Sequence, residues 1–497
     1  MSEQKEEVKY FPVATDDQLY LQCQTNTMKE TKNPSEISVY GNFFLYVAAI
    51  TASISVLACG MALGWTSPVI PKLNGNIEPE KNPLPIPLTL EQASWIGSLL
   101  PLGAVFGPLA AGAFVDRIGR KKALVVSVVP LMVAFNLCVF ISNVNLFYLI
   151  RFLCGLSIGG VFTVLPIYLS EISEKSNRGT LGSFLGLFIV IGILLSYVIG
   201  PYVSLKVFNI VCATVPAVFV PIFLKFIPES PHYLILRNDK EGAEKALASL
   251  RTNYSKDFIH KELMEIKETV EISTTQSEGS FTDLFMSRGL KRALLLSIGL
   301  VFFQQFSGIN AVLFYTQTIF SATGSTIPPD VSTIIVGVVQ AASSFLPSLL
   351  ADKAGKRFLL LFSALGMGLS ETILGLYFYL QGTLENVDFI FWLPIVSLMG
   401  YIISYNAGFG ALPWAVMGEI FPSNIKSVAS TVTVSVCWIT AFLITYFYAT
   451  ISQLLGTFGS FWIFSGCCLS AFIFVFKLLP ETSRKTFQEI QDILNAD

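Results

Sequence analysis

The stretch GAFVDRIGRK, residues 112–121, separates two long apolar runs and combines an acid, a glycine and several basic residues. A second stretch, DKAGKR at residues 352–357, repeats that pattern between two later apolar runs. A tight basic turn with a fixed acid suits the point where two neighbouring membrane helices emerge on the positively biased side of a bilayer. Because the pattern occurs twice, it predicts a parallel internal repeat, which is typical of membrane transporters.

The composition is that of a membrane protein. Hydrophobic residues make up 53% of the chain and charged residues 13%, whereas roughly a quarter of a soluble domain is charged. We therefore expect most of the chain to lie in a lipid bilayer. The net charge of -2 gives no reason to expect a nucleic-acid partner. Most cysteines fall inside apolar runs, where we interpret them as packing residues.

Twelve apolar stretches are long enough to cross a bilayer, which takes about 20 helical residues each. The predicted spans are 43–69, 92–114, 122–142, 146–170, 180–202, 207–227, 292–317, 331–351, 358–380, 389–416, 428–449 and 457–478. We predict an all-α integral membrane protein with six-helix bundles at 43–228 and 292–479. A charged linker with short helices at 229–291 joins the bundles, and polar tails occupy 1–42 and 480–497.

Basic residues in the short loops predict the orientation. About ten lie on the side of the two basic turns and about three on the other side. This asymmetry places the basic turns, the linker and both termini in the cytosol. The N-terminal segment also lacks the order of charged, apolar and small residues that marks a secretory signal peptide.

Acids and bases recur at equivalent helix ends in the two halves. Glu171 precedes Arg178 by seven residues, and Glu419 precedes Lys426 by the same interval. We interpret these charges as a cytosolic gate that pairs when the halves close on that side. The alternative is ordinary interfacial charge that follows the positive-inside bias. The predicted gate also contains Asp116, Arg117, Arg151, Glu229, Asp352, Arg357 and Glu481.

Side-chain amides lie within several apolar spans. Gln304, Gln305 and Asn310 belong to the seventh span, Gln340 to the eighth, and Trp414 to a tenth span that contains Gly and Pro. Polar groups in hydrocarbon are costly unless they face a cavity or a partner, so we expect them to line the transport path. The alternative is hydrogen bonding between helices. Amides both donate and accept hydrogen bonds and Trp414 adds a flat aromatic surface, a combination that suits a neutral ligand rich in hydroxyl groups.

Several motifs together resemble the sugar porter family of the major facilitator superfamily, over residues from about 43 to 490. The motifs are the repeated basic turn, Arg151-x-x-x-Gly155-x-x-x-Gly159, Pro166-Ile167-Tyr168-Leu169-Ser170-Glu171 with Arg178-Gly179, Pro228-Glu229-Ser230-Pro231, Gln304-Gln305-Phe306-Ser307-Gly308-Ile309-Asn310, Pro413-Trp414 with Glu419 and Pro422, and Pro480-Glu481-Thr482. The sequences of these motifs are similar to those of arthropod trehalose and hexose transporters. The resemblance implies the major facilitator fold and sugar transport by alternating access.

The resemblance also implies roles for individual residues. Sugar contacts are implied for Gln304, Gln305, Asn310, Gln340 and Trp414. Asn406 replaces the family's acid in the tenth span and is included in the predicted sugar site. Phe314 and Tyr315 resemble an extracellular lid, although aromatic residues near an interface are also ordinary anchors. Further departures from glucose carriers occur at Gly186, Ala411 and Cys437. Because these changes enlarge or depolarise the site, they bring a larger disaccharide into consideration beside a hexose.

Energy coupling divides the possible mechanisms. Proton-driven relatives carry a carboxylate in the first span, whereas residues 64–68 here read GWTSP and the span has no acid. We therefore predict a uniporter, in which Arg151 pairs at the cytosolic end with Glu229. Glu371 lies inside the ninth span and either couples protons or bonds a neighbouring helix. A proton symporter and a non-transporting sugar sensor remain as alternatives.

The remaining expectations concern dynamics, chemistry and location. Gly408, Gly410 and Pro413 should break the tenth helix and supply a hinge. His232 and His260 lie in the linker without metal-ligand spacing, so we expect no enzyme, metal site or cofactor. The expected partners are a small-molecule sugar and the lipid bilayer, and we expect a functional monomer in the plasma membrane.

Overall fold

The computed structural model describes residues 43–74, 84–141, 143–174, 176–252, 254–275, 281–324, 326–384, 387–483, 485 and 487–496. The predicted N-terminal tail at 1–42 lies outside these residues. The side chain of Asp352, one of the predicted gate residues, is likewise outside the described part.

The first half forms six helical segments that can cross a membrane. They are α1 (Phe43–Gly64) with α2 (Thr66–Leu73), α3 (Leu90–Ile118), α4 (Arg120–Val139), α5 (Val144–Ile172), α6 (Arg178–Ile199) and α7 (Leu205–Phe226). Their sequences are apolar along nearly their whole length, as is required where lipid surrounds a helix. The predicted spans of this half agree with these helices to within a few residues.

The linker forms three short helices, as its composition predicts. They are α8 (Pro231–Leu236), α9 (Lys240–Leu250) and α10 (Lys256–Thr275). These helices share a small apolar core of their own. The buried Arg251 joins them to the end of α5, because it donates to the Ile172 carbonyl at 3.1 Å and binds the Glu262 carboxylate at 2.8 Å. The linker is thus docked on the first half.

The second half repeats the layout with more interruptions. Its helices are α11 (Arg288–Phe306), α12 (Ile309–Ala322), α13 (Pro329–Ser343), α14 (Leu346–Ala354), α15 (Lys356–Thr383), α16 (Leu393–Ala407), α17 (Leu412–Ile420), α18 (Ser423–Leu478) and α19 (Phe487–Ala496). Ten helices in the described residues are long and apolar enough to span a membrane. The last of them reverses at Gly456 (φ 77°, ψ 161°) and counts as two spans, and α13 with α14 forms the eighth. Together they give the twelve predicted spans.

Three spans of the second half are broken in mid-course. The tenth breaks between Ala407 and Leu412, as its glycines predict. The seventh breaks at Ser307 and Gly308, where Gly308 has φ 79° and no Cβ to oppose that conformation. The eighth breaks between Ser343 and Leu346. The last two breaks were not predicted, and they place free backbone groups beside the buried amides.

The tail after the last span also contains a helix. In α19, Gln491 Nε2 donates to the Ile420 carbonyl at 2.6 Å, and Asn495 Oδ1 accepts from the Gly289 amide at 2.9 Å. These bonds satisfy backbone groups at the end of α17 and the beginning of α11. The helix therefore covers the ends of two broken spans.

The two halves meet on the side away from the basic turns. We call the side of residues 117–121 and 353–357 the basic-turn face, and the other side the opposite face. Trp95, near the beginning of α3, packs against Tyr446 of α18 with ring centroids 4.8 Å apart. Phe162 of α5 and Trp438 of α18 meet nearer the middle, at 6.2 Å.

Candidate functional site

The break in the tenth span is closed by Gln304. Its Nε2 donates to the Phe409 carbonyl at 2.6 Å and to the Gly410 carbonyl at 3.3 Å. Both carbonyls belong to the interrupted turn, where the helix supplies no partner for them. Gln304 was predicted to contact sugar, but its amide hydrogens are already engaged in holding the seventh span to the tenth.

A short hydrogen-bonded chain follows on the same span. Asn310 Nδ2 donates to Gln305 Oε1 at 2.5 Å, and Gln305 Nε2 donates to Cys437 Sγ at 3.0 Å. All three side chains are buried at mid-span. The break at Gly308 brings Gln305 and Asn310 together, because the chain shifts direction between them. The sequence analysis noted Cys437 only as a difference from glucose carriers. Its sulfur is the weak acceptor that holds the Gln305 amide in place.

Gln340 and Asn406 belong to one cluster but have different surroundings. Asn406 Nδ2 donates to the Gln340 carbonyl at 3.1 Å and to Ser343 Oγ at 2.7 Å, so its donors tie α16 to α13. The side-chain oxygen of Gln340 is buried without a hydrogen-bond partner among the described residues. Because buried polar atoms are rarely left unpaired, Gln340 is the amide best placed to await a ligand.

The remaining predicted sugar residue, Trp414, begins the inner part of the tenth span. It is partly buried and packs against the apolar core from α17. Gly186 of α6 is exposed, and a side chain at this position would meet no other atom within 4 Å. The cluster is therefore uncharged, rich in amides and bordered by aromatic surface, which suits a neutral polyhydroxyl ligand. No group of described side chains could hold a metal ion.

The opposite face is closed by bonds between the halves. Tyr197 of α6 donates its hydroxyl to the Leu313 carbonyl at 2.7 Å, and Ser67 of α2 accepts from the Gln317 amide at 3.2 Å. The predicted lid residues Phe314 and Tyr315 lie between these two bonds on α12 and are buried. Their packing includes a tilted contact between the rings of Tyr315 and Tyr448 at 5.3 Å.

Arg151 was assigned to the wrong end of the molecule. Its guanidinium donates to the carbonyls of Ala62 and Ile96, at 2.8 and 3.0 Å, and lies 5.5 Å from the centre of the Trp65 ring. It does not pair with Glu229. The reason is topological: Arg151 occupies the first turns of α5, which start at the opposite face, so backbone carbonyls and aromatic rings stabilise its charge.

The charged groups of the first half pair within that half. Glu171 binds Arg120 at 2.9 Å, and Arg120 also binds Asp116 at 2.9 Å. Arg178 donates to the Ser170 carbonyl at 3.2 Å, and Arg117 is exposed with its carbonyl bound by the Tyr233 hydroxyl. Arg120, which was not among the predicted gate residues, is the base that binds Asp116 and Glu171.

The second half repeats this arrangement. Lys356 binds Glu419, as Arg120 binds Glu171, and Lys426 donates to the Gly418 carbonyl at 2.7 Å. Arg357 donates to the Phe476 carbonyl at 2.6 Å. In this conformation none of these bonds links the two halves. Lys356, like Arg120, was not among the predicted gate residues, although both directly follow the glycine of a basic turn.

Glu229 and Glu481 occupy equivalent positions at the beginning of a helix. Glu229 accepts from the Lys121 amide at 2.9 Å, and Glu481 accepts from the Lys356 amide at 3.1 Å. A carboxylate is stabilised there by free amide groups and the helix dipole. Burial alone would raise the pKa of Glu481, but hydrogen bonds from Ser483 and from the first amides of α15 lower it below its usual value.

Glu371 bonds a neighbouring helix, which was one of its two predicted fates. Cys468 Sγ lies 3.4 Å from Glu371 Oε2 and donates to it from α18. The other carboxyl oxygen is buried without a partner among the described residues. The side chain is 1% exposed.

Comparison with known proteins gives a consistent assignment. The family model described as "Sugar (and other) transporter" matches residues 73–494. The facilitated trehalose transporter Tret1 of Polypedilum vanderplanki is 36% identical over 465 residues, which cover 93% of this chain and 89% of that protein. The protein of the same name from Culex quinquefasciatus is 34% identical, with 90% and 85% covered.

Solved structures show the same fold. The inward-open xylose transporter XylE from E. coli superposes with a TM-score of 0.73 at 22% identity, covering 90% of this chain and 99% of that one. The proton:xylose symporter XylE bound to 6-bromo-6-deoxy-D-glucose has a TM-score of 0.70 at 23% identity, with 92% and 100% covered. The chain is a multi-pass membrane protein with the major facilitator fold, and it belongs to the sugar porter family.

Proposed function

We propose that this protein is a facilitative sugar transporter, which carries trehalose or a hexose such as glucose across the plasma membrane by alternating access. Its basic-turn face and both termini are cytosolic, in accordance with the positive-inside bias. The opposite face is therefore extracellular. Relatives named facilitated trehalose transporters, covered over most of their length, support the substrate class.

The chemistry of the central cluster supports a sugar as the ligand. Gln305, Asn310 and Gln340 are neutral groups that can exchange hydrogen bonds with hydroxyls, and the oxygen of Gln340 has no partner among the described residues. Trp414 supplies an aromatic surface for the apolar face of a ring. We also assign Gly186 of α6 to the wall of this site, where the lack of a side chain favours a ligand larger than a compact hexose.

The observation that carries the facilitated mechanism is the environment of Arg151. A buried cation needs compensation, and here it comes from the carbonyls of Ala62 and Ile96 and from the Trp65 ring. The first span, residues 43–73, contains no acid that could take up and release a proton beside this arginine. Sugar movement is then driven by the sugar gradient alone.

The bonds between the halves support an inward-facing state. Tyr197 and Ser67 close the extracellular side, whereas Arg120–Glu171 and Lys356–Glu419 stay within their own halves on the cytosolic side. To face outward, the protein must break the extracellular bonds and bring its cytosolic ends together. The cytosolic charges would then exchange partners across the closed interface.

A proton symporter is the second candidate, because Glu371 is a buried carboxylate with one unpartnered oxygen. Uptake of labelled trehalose and glucose in transporter-deficient cells, with and without a protonophore, separates the two. The uniporter gives equal uptake in both conditions, and Glu371→Gln leaves it unchanged. A protonophore-sensitive wild type that becomes insensitive in Glu371→Gln would establish the symporter instead.

A further inference from the structure

A groove lies on the linker, where α8 and the beginning of α9 meet the last turns of α10. Ile235, Leu236 and Val270 form its apolar part, and Lys240 and Lys267 also line it. Lys240 is exposed, and Leu236, Val270 and Lys267 are partly exposed, so the groove opens to water. An apolar surface left open in this way gains free energy when another apolar side chain covers it.

The size of the groove indicates what can cover it. Its volume is about 160 Å³, whereas pockets for separate small molecules measure about 300–1,000 Å³. The groove therefore suits one or two side chains rather than a whole ligand. A contact of that size is weak between separate molecules, but a segment of the same chain is present at an effective concentration in the mM range. This difference favours an occupant from the chain itself.

The N-terminal segment, residues 1–42, joins the described chain beside the linker. The linker helix α9 contacts α1, and Leu250 and Leu45 of these two helices are buried in one apolar core. Lys240, at the other end of α9, lies about 15 Å from Leu250 along the helix. The segment 22–42 spans up to about 70 Å when fully extended, so residues near position 20 can reach the groove.

The sequence DDQLYL at residues 16–21 matches the groove in both charge and polarity. Its two acids precede three apolar residues, and it contains no base. Lys240 and Lys267 outnumber the one acid in the groove lining, Glu271, whose carboxylate lies 3.5 Å from the Lys267 ammonium. The groove therefore keeps a positive charge that an acidic segment can neutralise.

Two other segments fit less well. The stretch VKYFPV at residues 8–13 is apolar but contains a lysine, which the lysines of the groove repel. The stretch QSEGS at residues 276–280 follows α10 directly but has no apolar side chain to cover the floor of the groove.

We propose that residues 16–21 bind this groove and so fasten the N-terminal segment to the linker. In an extended segment, Leu19 and Leu21 point to the same side, and both can pack on the apolar part of the groove. Asp16 and Asp17 then lie beside the lysines. The contact joins parts of the first half and its linker, so it does not depend on the transported substrate or on which side of the protein is open.

Disulfide crosslinking in the full chain tests this contact. Cys23, two residues after Leu21, is a native thiol of the N-terminal segment, and the other seven cysteines lie within the membrane-spanning helices. Val270→Cys introduces a thiol in the groove. Thr269→Cys is the matched control, because Thr269 is the next residue of α10 but is exposed and does not line the groove.

The initial rate of disulfide formation under mild oxidation is measured in membranes, by mass spectrometry of the linked peptides. Cys23→Ser gives the background for both variants. The bond to Cys23 should form about tenfold faster in Val270→Cys than in Thr269→Cys, because docking raises the local concentration of Cys23 at the groove. Equal rates in the two variants, or a linked product with the mass of two chains, would overturn the proposal.

A charge exchange tests the identity of the docked segment. In the Val270→Cys background, Asp16→Lys with Asp17→Lys should slow crosslinking about three- to tenfold, the effect of one or two exposed ion pairs. Adding Lys240→Glu and Lys267→Glu should restore the rate. A rate that the first pair of substitutions leaves unchanged, or that the second pair fails to restore, would overturn the assignment of residues 16–21.

Discussion

Removing the Tyr197 hydroxyl should shift the protein toward its outward-facing state. This hydroxyl is fully buried and joins the halves through the Leu313 carbonyl at 2.7 Å. Tyr197→Phe keeps the ring and its packing but deletes that bond, whose net value is about 0.5–1.5 kcal/mol. Because the bond exists only when the opposite face, extracellular in our proposal, is closed, the equilibrium between states should move outward by about two- to tenfold.

A native thiol can report that shift. Cys437 lies beside Gln305 in the central cluster, and its Sγ accepts from that amide. A membrane-impermeant thiol reagent added outside reaches it only when the extracellular side is open. The initial rate of modification should therefore rise in Tyr197→Phe by the same two- to tenfold factor. Cys437→Ser gives the background from other cysteines.

Tyr168→Phe is the matched control for the lost bond. Tyr168 is equally buried, and its hydroxyl donates to the Pro228 carbonyl at 2.9 Å, but both residues belong to the first half. This variant should lose a similar amount of stability without changing the labelling rate. An unchanged rate in Tyr197→Phe, or an equal rise in both variants, would refute the argument that the bond distinguishes the two states.

Two further perturbations test the central cluster and the linker. Gln340→Leu should weaken sugar binding about tenfold without lowering the unfolding temperature, because the side-chain oxygen of Gln340 has no partner to lose. Asn406→Leu should lower the unfolding temperature, because it breaks two hydrogen bonds between α16 and α13. The pKa of His232 is lowered to about 4, mainly because the side chain is buried. The nearby charges of Arg178, Arg120 and Arg251 lower it further, whereas a hydrogen bond to the Glu171 backbone acts in the opposite direction. The folded state therefore binds fewer protons than the unfolded state between the usual pKa of 6.5 and about 4, and acidification from pH 6.5 to pH 5 should cost about 2 kcal/mol of folding stability. His232→Gln should reduce the fall in unfolding temperature between pH 7 and pH 5, while His260→Gln on α10 should leave it as in wild type; equal falls in all three proteins would contradict this prediction.

The sequence predicted the features that depend on local composition. Apolar length predicts each span, because a bilayer crossing requires about 20 residues without charge. The glycines at 119 and 355 predict the basic turns, since both begin a helix from positive φ, at 95° and 85°. Gly408 and Gly410 likewise predict the break in the tenth span. These signals are contained within a few neighbouring residues.

Features that depend on packing could not be predicted in the same way. Arg120 and Lys356 looked like ordinary positive-inside charges, and only the folded chain shows that each binds an acid of another helix. The span 146–170 already places Arg151 near the opposite face, but its partners there could not be predicted, because they are the backbone carbonyls of Ala62 and Ile96. Every residue has a backbone carbonyl, so the sequence does not show which carbonyls will bind an arginine. In the sequence, such an arginine looks the same as one that has no partner.

The predicted sugar residues differ in the hydrogen bonds that their side chains make. Gln304 and Asn406 are amides in the predicted cluster, but both use their donors to hold broken or neighbouring helices. Gln340 is left with an unpartnered oxygen. Helix breaks and helix packing determine this division: Gln304 faces the carbonyls that the break in the tenth span leaves free, and Asn406 faces the end of α13. A single sequence contains no measure of that direction.

The most direct test uses purified protein in liposomes with an imposed proton gradient, inside alkaline. Labelled trehalose is supplied outside, and its internal concentration is followed to equilibrium with and without the gradient, against protein-free liposomes. The account predicts protein-dependent entry that stops at equal concentrations inside and outside in both conditions. Accumulation above the external concentration when the gradient is present would contradict facilitated transport.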